Sequence, residues 1–214
     1  RNVIASDVPF TAVMTRSIVL LPEEPYQPRF TDSRMSVFPT AKILYSEQKQ
    51  QAELLCYANR WRLEPSDEEA YRRGESVEPK KPIVFYIDPD FPASWKGPMF
   101  EAVNQWKEPF ERIGFKNAVV AKEFPADDPE FDPDNIKYSC IRYAPIAIEN
   151  AMGPSWVDPR SGEILSASVY LYHDAIELLN NWLFIQTSQA DKRVRHTLIP
   201  DEIIGDGLRY VISH

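Results

Sequence analysis

A continuous apolar run constrains the fold of this chain more than any other feature. Residues 83–87 (Ile-Val-Phe-Tyr-Ile) form this run, which stops at Asp88-Pro89. Such a run is typical of a strand that is buried on both faces of a sheet. The sequence therefore predicts a central strand here, in a sheet that helices cover.

An amphipathic helix and a second strand follow this run. Pro98 fits the first turn of a helix, and Gly114 fits its end. Pro109 lies inside the helix and is expected to kink it or to remove a hydrogen bond. The next strand is predicted at residues 117–121, and such β-α-β units pair their strands in parallel. One apolar stripe runs along the predicted helix through Met99, Val103, Trp106, Phe110 and Ile113.

Further elements are predicted after residue 138. Residues 139–143 read as a third strand, and 164–172 as another, entered through a tight turn at 158–162. Residues 150–157 are predicted to form an edge strand, because Pro154 is tolerated only at a sheet edge or a strand start. Asp174 with Glu177 resembles a capping box that begins a helix.

The N-terminal part of the chain reads differently. Residues 1–63 predict short strands, and residues 64–81 form a charged stretch, nearly free of large aliphatic side chains, that reads as a linker. The fold class is therefore α+β. A β-rich N-terminal segment with its linker (1–78) precedes a unit (79–214) with a mixed, mostly parallel sheet and an antiparallel edge strand. The five strands expected in the first segment are 8–14, 17–21, 36–38, 41–45 and 57–63.

Pro200-Asp201 opens a last predicted helix, which continues to His214 without a stop signal. We expect the chain to end inside a folded element and the apolar stripe of this helix to lack natural packing partners. Self-association through the stripe, or a frayed last turn, is the expected result. The stripe consists of Ile203, Ile204, Leu208, Val211 and Ile212.

Composition excludes several functions. The net charge is −8, so there is no basic stripe to neutralise phosphates and nucleic acid is not an expected partner. No run approaches the ~20 apolar residues that a membrane span needs. Cys56 and Cys140 could pair, although two separate buried thiols are favoured. The acidic loop 127–134 could bind calcium but lacks a twelve-residue calcium-loop pattern, which favours a solvated loop.

The histidines are the natural candidates for a site. His173 is interpreted as a hydrogen-bonded structural residue and His196 as a solvated one. His214 gains meaning from its surroundings, because the order of elements resembles the N-terminal half of a metzincin-like zinc peptidase. More closely, the chain resembles a large bacterial family of secreted zinc-dependent metallopeptidases, which are often labelled only as domains of unknown function. The resemblance rests on residues 59–63, 82–88, 106, 110–111, 114–118, 148–154, 158–165, 172–173, 200–202 and 209–214.

The resemblance implies a site and a location. In that family the last helix continues as His-Glu-x-x-His-x-x-Gly-x-x-His, and His214 matches the first histidine, a zinc ligand. The later ligands and the catalytic Glu lie beyond the motif's first residue, so this chain alone is expected to be inactive and to hold no zinc, and its parent to be the zinc enzyme. The resemblance further implies extracytoplasmic location and a peptide or protein substrate.

The predicted edge strand supplies the substrate-binding part of this site. By resemblance, an extended substrate pairs with this strand through main-chain hydrogen bonds. The alternative is that it is an ordinary capped sheet edge without a binding function. Two other functions stay open: a non-catalytic binding or assembly domain, and a catalytically dead relative of the peptidase. The substrate-binding residues are Ala151, Met152, Gly153, Pro154, Ser155, Trp156 and Val157.

Overall fold

The apolar run forms the middle of a mostly parallel sheet. A computed structural model describes residues 11–214. In it β4 (Ile83–Ile87) pairs in parallel with β5 (Val119–Glu123) on one side and with β6 (Ser139–Ala144) on the other. β6 pairs in parallel with β9 (Glu163–Tyr172), whose first residues pair in parallel with β3 (Arg60–Trp61). The strand order β3-β9-β6-β4-β5 confirms the predicted parallel β-α-β unit.

Two short antiparallel strands complete this sheet. β7 (Ala151–Met152) and β8 (Ser155–Asp158) both pair with β9, and Gly153-Pro154 separates them. The turn from β8 to β9 uses Gly162 at φ +75°, a backbone conformation that glycine adopts without strain. The structure thus confirms an α+β fold with a mixed, mostly parallel sheet and an antiparallel strand where one was expected.

The N-terminal part contains fewer strands than expected. β1 (Pro39–Leu44) and β2 (Glu53–Ala58) form a separate antiparallel pair. The strand expected at 17–21 is wrong, as is the described part of the one expected at 8–14, whose first residues lie outside the described range. The strand expected at 41–45 is confirmed as part of β1, which begins two residues earlier, whereas residues 36–38 form no strand. In place of one strand at 57–63, β2 ends at Ala58 and β3 covers Arg60–Trp61. Strand propensity alone was insufficient because a strand also needs a partner edge.

The charged stretch 64–81 is folded, contrary to the expectation of a linker. It contains α1 (Glu68–Arg72), whose first turn is capped by the Asp67 carboxylate accepting from the Ala70 N–H at 2.9 Å. Ala70 and Val77 are buried against Phe115. Tyr71 also packs on Phe115, with ring centroids 4.9 Å apart, so the segment folds without large aliphatic side chains of its own. The domain boundary near residue 79 stays a prediction.

The predicted helix after β4 is two helices. α2 (Ala93–Asn104) starts earlier than expected, so Pro98 lies inside it, and α3 (Lys107–Arg112) follows after a break at Gln105-Trp106. The break has a physical cause, because the ring of Pro109 excludes the Gln105 carbonyl oxygen from a continuous helix. The expected stripe stops there as well: Trp106 and Ile113 are exposed. Gly114, at φ +89°, ends α3 as predicted.

Two helices and a short 3₁₀ turn complete the chain. α4 (Ala175–Thr187) precedes the 3₁₀ turn (Lys192–Val194) and α5 (Asp201–Ser213). The capping box expected at Asp174 is wrong, because the Asp174 side chain makes no capping hydrogen bond. Its φ of −78° and ψ of 3° differ from the extended backbone typical of a capping residue.

The main core lies between the sheet and helices α2, α4 and α5. Ile87, Met99, Ile141, Leu171 and Leu208 are at its centre. The α5 stripe is therefore covered inside the chain: four of its residues are buried and the fifth is half-buried. The expectation that this stripe lacks packing partners is wrong. Among residues 11–214, no helix combines the length and apolar character that a membrane span requires.

Candidate functional site

His214 follows the last turn of α5 and is exposed. Two contacts fix this end of the helix. Trp106 Nε1 donates to the Ser213 carbonyl oxygen at 3.0 Å, and Arg209 Nη1 bonds to Glu101 Oε2 of α2 at 2.9 Å. Leu208, fully buried, holds the middle of α5 in the core. The position of His214 is thus set by the packing of α5 on α2.

The β7–β8 segment forms one side of the sheet. In the described residues β8 pairs only with β9. The Ser168 N–H donates to the Pro154 carbonyl oxygen at 2.9 Å, so alternation along the strand directs the N–H and C=O of Ser155 away from β9. Met152, Ser155 and Trp156 are exposed. This edge can therefore accept an additional strand.

An apolar cavity joins the two predicted parts of the site. Its volume is about 310 Å³, at the small end of ligand-binding pockets. Gly153, between β7 and β8, and His214, after α5, both line it. Its remaining wall is mostly aromatic and aliphatic and includes Trp61, Phe85 and Phe110. The structure thus brings a predicted edge-strand residue and the predicted metal ligand to one cavity.

The residues present do not form a zinc site by themselves. A zinc site needs three or four protein ligands, whereas His214 offers one imidazole. Residues 11–214 contain no group of three or more His, Cys, Asp or Glu side chains arranged to hold a metal ion. We therefore derive no catalytic step through zinc from these residues.

The other two histidines match their interpretations. His173 Nδ1 lies 2.6 Å from the Tyr143 hydroxyl, and its ring stacks on Trp95 with centroids 5.6 Å apart. His196 is exposed. His173 is thus a hydrogen-bonded residue at the end of β9, and neither histidine lines the cavity beside His214.

Two ion pairs beside the edge strand were missed by the sequence analysis. The carboxylate of Asp158, fully buried, contacts Arg160 at 2.7 Å, and that of Glu163 contacts Arg62 at 2.8 Å. The Arg160 guanidinium lowers the pKa of Asp158 by hydrogen bonding to its charged form. The Asp-Pro-Arg sequence of the turn offered a signal for the first pair, but the Arg62–Glu163 pair depends on how β3 and β9 meet.

The thiols do not pair with each other, and three carboxylates of the acidic loop have partners within the chain. Cys56 and Cys140 are both free, so the pairing left open by the sequence does not occur in this structure. Cys140 is buried as expected, whereas Cys56 is only half-buried. Burial raises the pKa of the Cys140 thiol to about 12. In the acidic loop, Asp134 pairs with Arg142, while Asp128 and Asp132 accept hydrogen bonds from nearby backbone N–H groups.

Fold and geometry together define an α+β protein with an open sheet edge and a helix-terminal histidine beside one apolar cavity. A sequence-family profile described as "Domain of unknown function (DUF5117)" matches residues 2–66. That match covers β1, β2 and β3 and ends before the parallel strands β4 to β6. Comparison with curated proteins gives no match, and neither does comparison with solved structures.

Proposed function

We propose that this chain is part of a zinc-dependent metallopeptidase, to which it contributes a peptide-binding sheet edge and one zinc ligand. The observation that carries the proposal is the shared cavity. Gly153 and His214 are far apart in sequence, yet both line one apolar space of about 310 Å³. A peptide along the edge would therefore lie next to the imidazole that the family resemblance assigns to the metal.

The edge offers the groups that bind an extended peptide. The main-chain N–H and C=O of Ser155 point outward and supply hydrogen bonds that do not depend on peptide sequence. The exposed side chains of Met152 and Trp156 offer apolar contact on either side. A peptide is the fitting substrate class because it can pair with such an edge along its whole backbone.

The proposed role of His214 is to bind zinc together with histidines that the family motif places after it. Bound zinc activates water for attack on a peptide carbonyl in such enzymes. This chain's own residues would hold the peptide and fix the first ligand. In line with the resemblance, we propose that the protein works outside the cytoplasm.

The test compares the parent protein with two matched variants, His214→Ala and His196→Ala. Zinc content is measured by mass spectrometry, and cleavage of a fluorogenic peptide is followed with and without chelator. We expect about one zinc per chain in the parent and in His196→Ala, and loss of both zinc and cleavage in His214→Ala. No zinc in the parent would refute the metallopeptidase. Peptide binding without zinc would instead favour a non-catalytic binding domain or an inactive relative.

A further inference from the structure

Three arginines hold residues 22–27, which precede the first strand. The carbonyl oxygen of Pro22 accepts from Arg160 Nη2 at 2.6 Å, and that of Glu24 accepts from Arg62 Nη2 at 3.0 Å. Arg60 donates to the carbonyl oxygen of Gln27. Arg160 belongs to the turn that follows β8, so residue 22 is fixed at one end of the proposed peptide-binding edge.

The arginines are themselves held in place. Arg160 is paired with Asp158, and Arg62 with Glu163, two carboxylates that lie inside the protein. The Tyr26 ring lies 4.0 Å from the Arg60 guanidinium carbon and 5.1 Å from that of Arg62. The anchoring of residues 22–27 is therefore a built feature, because main-chain carbonyls, an aromatic ring and buried counter-charges all contribute.

Residues 11–21 precede this anchor and are here named the strap. The strap contains no strand, and Val13, Ile18 and Leu20 are 98%, 100% and 97% exposed. Its residues have the β-branched and aliphatic composition for which the sequence predicts strands. An apolar segment with strand propensity that lies uncovered beside an open sheet edge has an unused partner close by.

A gap lies between the strap, the loop 133–136 and the part of the sheet next to this edge. Val13, Thr15 and Ser17 line a space of about 390 Å³ together with Trp156 of β8 and Tyr170 of β9. Alternate strap residues thus line the same gap, as in an extended strand whose successive side chains point to opposite sides. Residue 22 is anchored on Arg160 in the turn after β8, and Ser17 lines the same gap as Trp156, so residues 17–22 lie beside β8.

We infer that the strap closes this gap and pairs along the outer side of β8, so that it occupies the edge on which a peptide would bind. The inference rests on the proposed function of that edge. The strap then competes with peptide for the edge, so a bound peptide must displace it. Because the arginine anchor keeps the strap beside β8, the strap can pair again once the peptide leaves. Closure also covers Val13, the exposed apolar residue on the side of the strap that lines the gap.

The experiment uses the full chain and two double variants with the same added charge. Val13→Asp with Ser17→Asp places carboxylates on the side that lines the gap, where closure would bury them beside Asp134, another residue of its wall. Met14→Asp with Ile18→Asp places them on the opposite side. The readouts are amide hydrogen exchange at Ser155 and binding of a fluorescent seven-residue peptide of alternating valine and threonine with a terminal lysine at each end.

In the Val13/Ser17 variant we expect amide exchange at Ser155 at least tenfold faster, and peptide binding at least tenfold tighter, than in the unsubstituted chain. In the Met14/Ile18 variant we expect both quantities to change less than twofold. Equal exchange in all three proteins would overturn strap closure. Peptide binding that is equally tight in all three would do the same while leaving the proposed edge function standing. Faster Ser155 exchange with no peptide binding to any of the three would support closure but refute the peptide-binding function.

Discussion

Gly162 links the N-terminal β-pair to the parallel sheet, and its replacement by alanine tests that link. Gly162 has φ +75°, and a Cβ added there would lie 2.8 Å from the Ala58 carbonyl oxygen of β2. The backbone is close for a reason, since the Gly162 carbonyl oxygen accepts from the Arg60 N–H at 3.0 Å. Neither the clash nor the strain can be relieved by rotating a side chain.

The expected cost has two parts. A positive φ costs a residue with a Cβ about 1–2 kcal/mol. Forcing a methyl group against packed backbone costs about 1–3 kcal/mol more. We therefore expect Gly162→Ala to lower the free energy of unfolding by about 2–5 kcal/mol.

Two other glycines separate these parts. Gly74 has φ +85° but a Cβ there meets nothing within 4 Å, so Gly74→Ala should show the strain alone, about 1–2 kcal/mol. Gly153 has neither positive φ nor a close neighbour, and Gly153→Ala should be neutral or stabilise by up to about 1 kcal/mol.

The assay is urea unfolding followed by circular dichroism, with free energies compared at equal slopes. If Gly162→Ala costs no more than Gly74→Ala, the turn does not pack on Ala58.

Three further predictions follow from buried groups. Leu208→Ala should lower the free energy of unfolding by about 3–5 kcal/mol in the same urea assay. Leu198→Ala, at an exposed site, should change it by less than about 0.5 kcal/mol, and equal effects of the two substitutions would contradict the packing of α5. Cys140 is fully buried and its pKa is raised to about 12, so its thiol should resist iodoacetamide at pH 8 until urea unfolds the chain. Labelling is followed by mass spectrometry, and labelling of Cys140 before the half-buried Cys56 would refute this. Arg160 lowers the pKa of Asp158 in the folded state, so their pair should stabilise the protein at pH values above the ordinary Asp pKa of about 3.9 and lose this effect as the pH falls through the lowered pKa. In acid unfolding curves, Arg160→Gln should remove that part of the pH dependence, and an unchanged curve would exclude the pair as its source.

Strong local patterns predicted the parallel sheet correctly. The apolar run became β4, and the β-branched runs around Val119 and Ile141 became its two neighbours. The glycine at 114 ended a helix, and the turn at 158–162 joined two strands. These features depend on residues that are close in sequence, so the sequence pattern carries them.

Predictions failed where a distant partner decided the outcome. The strap has strand composition but pairs with no strand in the structure, and the charged stretch around Ala70 folds because Phe115 covers it. The break before α3 was foreseeable from Pro109, but its position, at Gln105-Trp106, left Trp106 free to hold the end of α5.

Some features of the candidate site could be predicted from the sequence, and others depend on contacts between distant segments. The edge strand could be named from the sequence, because the Gly-Pro step is a local signal, whereas His214 was singled out by the family resemblance. Their meeting at one cavity, the buried pairs Arg160–Asp158 and Arg62–Glu163, and the anchored strap could not. The sequence by itself determined the elements and the residue types they present; only the tertiary structure decided which of them share a surface, because contacts between distant segments depend on how strands and helices pack.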